Sequence, residues 1–118
     1  MKTLSTLIAT SVLLISATAA NADYFEAISS EKIKTEVTDS RAAAYKAGAD
    51  KLSSLKSATP YALSDEIGLV RGDIEQDTVS IDDGAYITVQ EQMAPNGKLG
   101  YVGVVNAGIS FEVNENDN

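Results

Sequence analysis

Period-two alternation of apolar and polar residues runs through most of this chain, with two helical stretches set into it. From Tyr24 to Val37 the alternation is best at Ile33, Thr35 and Val37, with Lys32, Lys34 and Glu36 on the other face. That pattern predicts a half-buried strand. The phase slips between Ala27 and Ile28, which predicts a bulge or break there. Over residues 38–58 the period changes to three and four. Ala42, Tyr45, Gly48, Ala49, Leu52 and Leu55 form one apolar stripe, and Thr38, Asp39 or Ser40 can cap the first turn. The small residues of the stripe predict close approach to a sheet, with Gly48 as a packing glycine, since glycine inside a helix otherwise costs about 1 kcal/mol against alanine. Thr59 and Pro60 then supply a cap and a first helical residue for a short helix burying Leu63 and Ile67, closed by Gly68 in a left-handed conformation.

Strands follow. Val79 and Ile81 alternate with Thr78 and Ser80, and Ile87, Val89 and Met93 with Tyr86, Thr88, Gln90 and Gln92. Pro95-Asn96-Gly97 is a hairpin signal, because Asn-Gly tolerates positive φ. The last strand is the most regular: Leu99, Tyr101, Gly103, Val105, Ala107, Ile109, Phe111 and Val113 share one face. It exceeds the usual strand length, so Gly100, Gly103 and Gly108 are expected at bends or bulges. The order strand, helix, short helix, antiparallel strands with a C-terminal hairpin predicts an α+β two-layer sandwich.

The first 22 residues change the picture. Lys2 precedes an apolar run from Leu4 to Ile15, and Ala20-Asn21-Ala22 offers a small-residue cleavage site. A membrane-spanning helix needs about 20 apolar residues, more than this run supplies. Residues 1–22 are therefore expected to be a signal peptide, and residues 23–118 a single small domain with a frayed polar tail at Asn114-Glu115-Asn116-Asp117-Asn118. No cysteine follows the apolar run, so lipid attachment there is not expected, and no transmembrane segment is expected in the mature form. The expected compartment is the periplasm, with secretion as the alternative.

Charge narrows the partners. The chain carries 9 Lys and Arg against 17 Asp and Glu, and Lys2 is the one charged residue of the leader, so the mature form has net charge −9. That field repels nucleic acid and anionic lipid. The chain contains neither histidine nor cysteine. Ser-His-Asp and Cys-His catalysis, zinc sites of nitrogen and sulfur, and disulfide staples are thereby excluded. Glycine-rich phosphate cradles are absent as well, and no catalytic residue or cofactor is expected.

One segment keeps a chemical question open. The stretch GDIEQDTVSIDDG at 72–84 contains Asp73, Glu75, Asp77, Asp82 and Asp83. An EF-hand begun at Asp73 matches its first three ligands but places Thr78 where glycine is required and Gly84 where the last glutamate belongs. A weak calcium site of another type remains one reading. A carboxylate pair for glycan hydrolysis, drawn from these residues or Glu91, is a second. A solvated edge whose charges discourage strand-to-strand aggregation is the third, with Asp82-Asp83-Gly84 as a turn. Tyr86 and Tyr101 flank the hairpin and are expected to pair across it.

The strings AAAYKAGADKLSSL, ALSDEIG, GDIEQDTVSIDDGAYITVQEQM and YVGVVN resemble a family of small exported proteins of vibrio-type gammaproteobacteria, catalogued as a domain of unknown function. The layout is also similar to the BhsA/McbA kind of periplasmic stress protein. The first resemblance implies an exported bacterial protein, and the second a role in envelope stress or surface association. Together with the charge and the missing catalytic side chains, the expectation is a non-enzymatic module that binds a protein or an envelope component.

Overall fold

The computed structural model describes residues 6–15, 24–69 and 71–114. The expected cleavage site at residues 20–22 and the end of the tail, residues 115–118, lie outside them. In chain order the elements are β1 (Thr6–Ile15), β2 (Tyr24–Thr38), α1 (Arg41–Ser57), α2 (Pro60–Ile67), β3 (Ile74–Ile81), β4 (Tyr86–Met93) and β5 (Leu99–Asn114). The fold is α+β with strand predominating.

The C-terminal strand β5 is the spine. Along one side it pairs antiparallel with β2, from Tyr24 opposite Asn114 to Thr38 opposite Tyr101. Along the other side it pairs with β3 over Val113 to Ile109 and with β4 over Asn106 to Leu99. Thus β3 and β4 lie end to end on one edge of β5 and do not form a hairpin with each other. The Asp82-Asp83-Gly84 turn is a jog between two collinear strands. Strand β1 pairs antiparallel with the outer side of β2, from Thr6 opposite Lys34 to Ile15 opposite Glu26. The apolar run at residues 6–15 is therefore the outermost strand of the sheet, an element not among the expected strands.

Both helices follow their end signals. Ser40 caps α1, its hydroxyl accepting from the Ala43 N–H at 3.1 Å. Thr59 caps α2 in the same way, accepting from the Ala62 N–H at 3.2 Å, and Gly68 closes it with φ 80°. The buried stripe of α1 differs from the expected one. It runs through Ala44, Gly48 and Leu55, while Ala42, Tyr45 and Ala49 face solvent. The reason is a close approach. A Cβ on Gly103 would sit 2.3 Å from the Ala44 carbonyl oxygen, and one on Gly48 would sit 2.6 Å from Ile87 Cγ2. The helix backbone rests on the sheet at two glycines, and that contact fixes which face turns inward.

Of the β5 glycines, Gly103 lies opposite a bulge, between Val102 and Val104, and all three are points of close approach. Gly103 lies under α1, Gly100 under Val37 and Gly108 under the Asp82 carboxylate. The irregularities themselves sit in the partner strands. In β2 the register to β5 shifts between Lys34 and Val37, not at Ala27 and Ile28. The shift turns Val37 to the face opposite Ile33 and leaves it 55% exposed. The Thr35 hydroxyl fills the gap, accepting from Gly103 N–H at 3.1 Å and reaching its carbonyl at 3.3 Å. In β3 the register shifts between Glu75 and Ser80. There the Thr78 hydroxyl accepts from Glu112 N–H at 2.9 Å and donates to the Glu75 carbonyl at 2.6 Å. At both interrupted ladders to β5 a threonine hydroxyl thus bonds a backbone group of β5 that the shift leaves off the ladder.

The main core lies between the helices and one face of the sheet. Ile33, Val79, Val105, Ile109 and Phe111 meet Leu55, Leu63 and Ile67 there, all at most 3% exposed. The hairpin turn forms as expected: Ala94 N–H donates to the Lys98 carbonyl at 2.8 Å, and Gly97 has φ 87°.

Candidate functional site

The acidic segment is built as an edge strand. Ile74 and Val79 are buried, and the carboxylates spread along and around β3. Asp73 receives a bidentate contact from Arg71, Nε to Oδ1 at 3.0 Å and Nη2 to Oδ2 at 3.2 Å. Glu75 is half-buried and Asp77 exposed, separated by the register shift that breaks their alternation. Asp82 turns toward β5 and accepts from the Ser110 hydroxyl at 2.6 Å. Asp83 is exposed. Glu91, on β4, pairs with Arg41 at 3.1 Å. Among the described residues no three acidic groups come together in a way that could hold a metal ion. The segment begins its strand at Ile74, earlier than expected, and it forms part of the sheet margin opposite β1. Tyr86 and Tyr101 do not pair: Tyr86 lies opposite Asn106 and Tyr101 opposite Glu91, with the Arg41 guanidinium 5.5 Å from the Tyr101 ring centroid.

On the sheet face away from the helices, a polar ladder crosses three strands. Lys32 Nζ of β2 donates to Asn106 Oδ1 of β5 at 2.8 Å, and Asn106 Nδ2 donates to Thr88 Oγ1 of β4 at 3.0 Å and to the Tyr86 carbonyl at 3.4 Å. Asn106 is only 6% exposed, yet both ends of its amide are used. Beside this ladder lies an open polar groove of about 300 Å³, bordered by Lys32, Gly84, Tyr86, Asn106 and Gly108. It offers hydrogen bonds, with its one lysine already engaged by Asn106.

The most unusual group is Glu31. Strand β2 places Ala27, Ser29, Glu31 and Ile33 on one face, all at most 2% exposed. The Ser29 hydroxyl donates to Glu31 Oε2, while Glu31 Oε1 has no hydrogen-bond partner among the described residues. Burial raises the Glu31 carboxyl above its ordinary range, and the Ser29 hydrogen bond opposes part of that rise. The sequence reading missed this residue. The signal was available, because Glu31 shares the parity of Ile33 and so had to share its face. Opposite Glu31, across the outer ladder of β2, stands Ala9 of β1.

A family model matches nearly the whole chain, over residues 1–116. The chain belongs to DUF8398, a domain of unknown function. No curated protein and no solved structure matches it. In this DUF8398 chain the matched region takes in the apolar run that forms β1 as well as all four strands and both helices that follow.

Proposed function

We propose that this DUF8398 chain is exported, loses residues 1–22, and serves as a non-enzymatic binding module of the bacterial envelope, with the outer edge of β2 as its contact surface. One observation carries the proposal. The residues that read as a leader are also the outermost strand, so their removal leaves the sheet β2-β5-β3/β4 and both helices in place and uncovers one side of β2. An uncovered strand presents a row of N–H and C=O groups that pair with an added strand, and strand addition is a general way of binding extended segments. The acidic composition and the absence of histidine and cysteine support binding over catalysis. The similarity in layout to the BhsA/McbA kind supports a place in the envelope stress response, with the periplasm as compartment.

Expression of the full chain in an exporting bacterium tests the proposal. The expected product is found in the osmotic-shock fraction with a mass that begins at Asp23. A product that keeps residues 1–22 and stays in the cytoplasm overturns it.

A further inference from the structure

We infer that the β2 edge uncovered by loss of the leader pairs with the same edge of a second copy of this chain, antiparallel and centred on Ser30. The inference rests on the export reading above and names the partner of that same edge.

The argument begins with symmetry. Two copies joined antiparallel in one continuous sheet are related by a two-fold axis perpendicular to it, so each residue i of β2 stands opposite residue 2r − i, where r is the central residue. Residues opposite each other then keep their faces. Only a few centres are available, and the charges of β2 separate them. Centring on Glu31 places two buried carboxylates opposite each other and sets Glu26 against Glu36. A centre at Lys32 or Lys34 sets a lysine against itself, and a centre at Ile33 sets Lys32 against Lys34. Like charges directly opposite are destabilising. A centre at Ser29 pairs Lys32 with Glu26 but leaves each buried Glu31 facing Ala27.

The Ser30 centre meets every condition. Glu26 stands opposite Lys34 twice, Ala27 opposite Ile33 twice, and Ile28 opposite Lys32, with no like-charged pair. On the buried face each Glu31 stands opposite the second copy's Ser29, side chains close enough to bond at the usual cross-strand spacing of about 4.5–5.5 Å. With the carboxyl protonated, Oε1 donates to that Ser29 oxygen, while each Ser29 continues to donate to its own Glu31 Oε2. Two carboxyls and two hydroxyls then close one ring of four hydrogen bonds, giving a partner to the oxygen that has none among the described residues of the chain with β1 in place. The edge is demonstrably competent for strand pairing, since β1 pairs with it from Glu26 to Lys34. The other margin of the sheet is different in kind. Its charges, Glu75, Asp77, Asp82, Asp83 and Glu91, are all negative and oppose self-pairing there.

The chain contains no cysteine, so one introduced thiol reports contact between copies without ambiguity. Ser30→Cys, expressed with its leader and isolated after export, is oxidised and run without reductant. Opposite Cα atoms in an antiparallel pair fall within disulfide reach. The expected result is a processed product starting at Asp23 that forms a disulfide-linked homodimer. Ser80→Cys on β3 is expected to stay monomeric. Sedimentation of the cysteine-free chain should show dimer, weakened at least tenfold by Lys34→Glu and restored by adding Glu26→Lys. A processed Ser30→Cys product that remains monomeric, or that links to a different protein, overturns self-pairing while leaving export intact. A product that retains residues 1–22 overturns both readings.

Discussion

Gly103→Ala tests the contact on which the two layers depend. The new Cβ would meet the Ala44 carbonyl oxygen at 2.3 Å and the Gly48 nitrogen at 3.1 Å. A carbon and a carbonyl oxygen approach to about 3.3 Å in the closest favourable contacts, so α1 would have to lift by about 1 Å. The atoms in the way belong to a helix backbone and cannot rotate aside. Ser40, Ala44 and Leu55 are tied to that helix, so the lift loosens packing along its length. Overpacking a core costs about 1–3 kcal/mol and occasionally more, and an immovable obstacle places Gly103→Ala at about 3 kcal/mol or above. For a domain of this size each kcal/mol shifts Tm by about 4–8 °C, so the expected drop exceeds about 12 °C in thermal unfolding followed by circular dichroism. Gly48→Ala is the informative contrast. Its Cβ meets a side chain, Ile87 Cγ2 at 2.6 Å, and the substitution gains about 1 kcal/mol of helix propensity. Its net loss should be near 1 kcal/mol, and Ile87→Ala should relieve it in a double-mutant cycle by about 1 kcal/mol or more. If Gly103→Ala unfolds within about 1 kcal/mol of the parent chain, the close-approach account is wrong.

Three further outcomes follow from single side chains. Burial raises the Glu31 carboxyl in the folded chain, so the folded state holds that proton more tightly than the unfolded state. Its contribution to stability is present at low pH and is lost as pH rises through the folded value; Glu31→Gln in the full chain should gain stability over the parent at pH 7.5 and little at pH 4, in paired denaturant titrations, and an equal difference at both values would contradict this. Asn106→Ala removes the centre of the polar ladder and leaves the Lys32 and Thr88 groups without it, at an expected cost of about 1–3 kcal/mol in urea unfolding; no measurable change would show the ladder to be incidental. Gly68→Ala forces a side chain into φ 80° at the end of α2 and should cost about 1 kcal/mol by the same measurement, the penalty of left-handed backbone for an L-residue.

Local signals carried much of this fold. Both helices, their caps at Ser40 and Thr59, the Gly68 closure and the Asn96-Gly97 turn depend on short-range chemistry, and each is legible in a few residues. What escaped depends on neighbours distant in sequence. The face of α1 is chosen by Gly103 and Ile87, more than 35 residues away, so a stripe counted along the helix alone selects Ala42 and Tyr45 in place of Ala44. The register shift of β2 sits at Thr35 because that hydroxyl can bond Gly103, and nothing in residues 24–38 announces it. Asp82-Asp83-Gly84 reads as a reversal because Asp-Gly favours hairpins, yet β5 is long enough to hold β3 and β4 in line. The acidic segment was legible as a set of charges but not as a strand, since its buried positions, Ile74 and Val79, are five residues apart and out of phase, with Val79 inside the irregular stretch between Glu75 and Ser80. Glu31 was hidden by the habit of assigning charge to the outer face.

The position of β5 has a consequence for how the chain reaches its folded state. Three strands, β2, β3 and β4, use residues 99–114 as their partner. A ribosome adding about 5–20 residues per second exposes those residues after everything they must join. Until then the helices and β1 against β2 are all that can form, and loop closure between β2 and β5 spans more than 60 residues. Pairings so distant in sequence make for slow folding. A nascent chain of this design cannot close its sheet until its last sixteen-residue strand has been made.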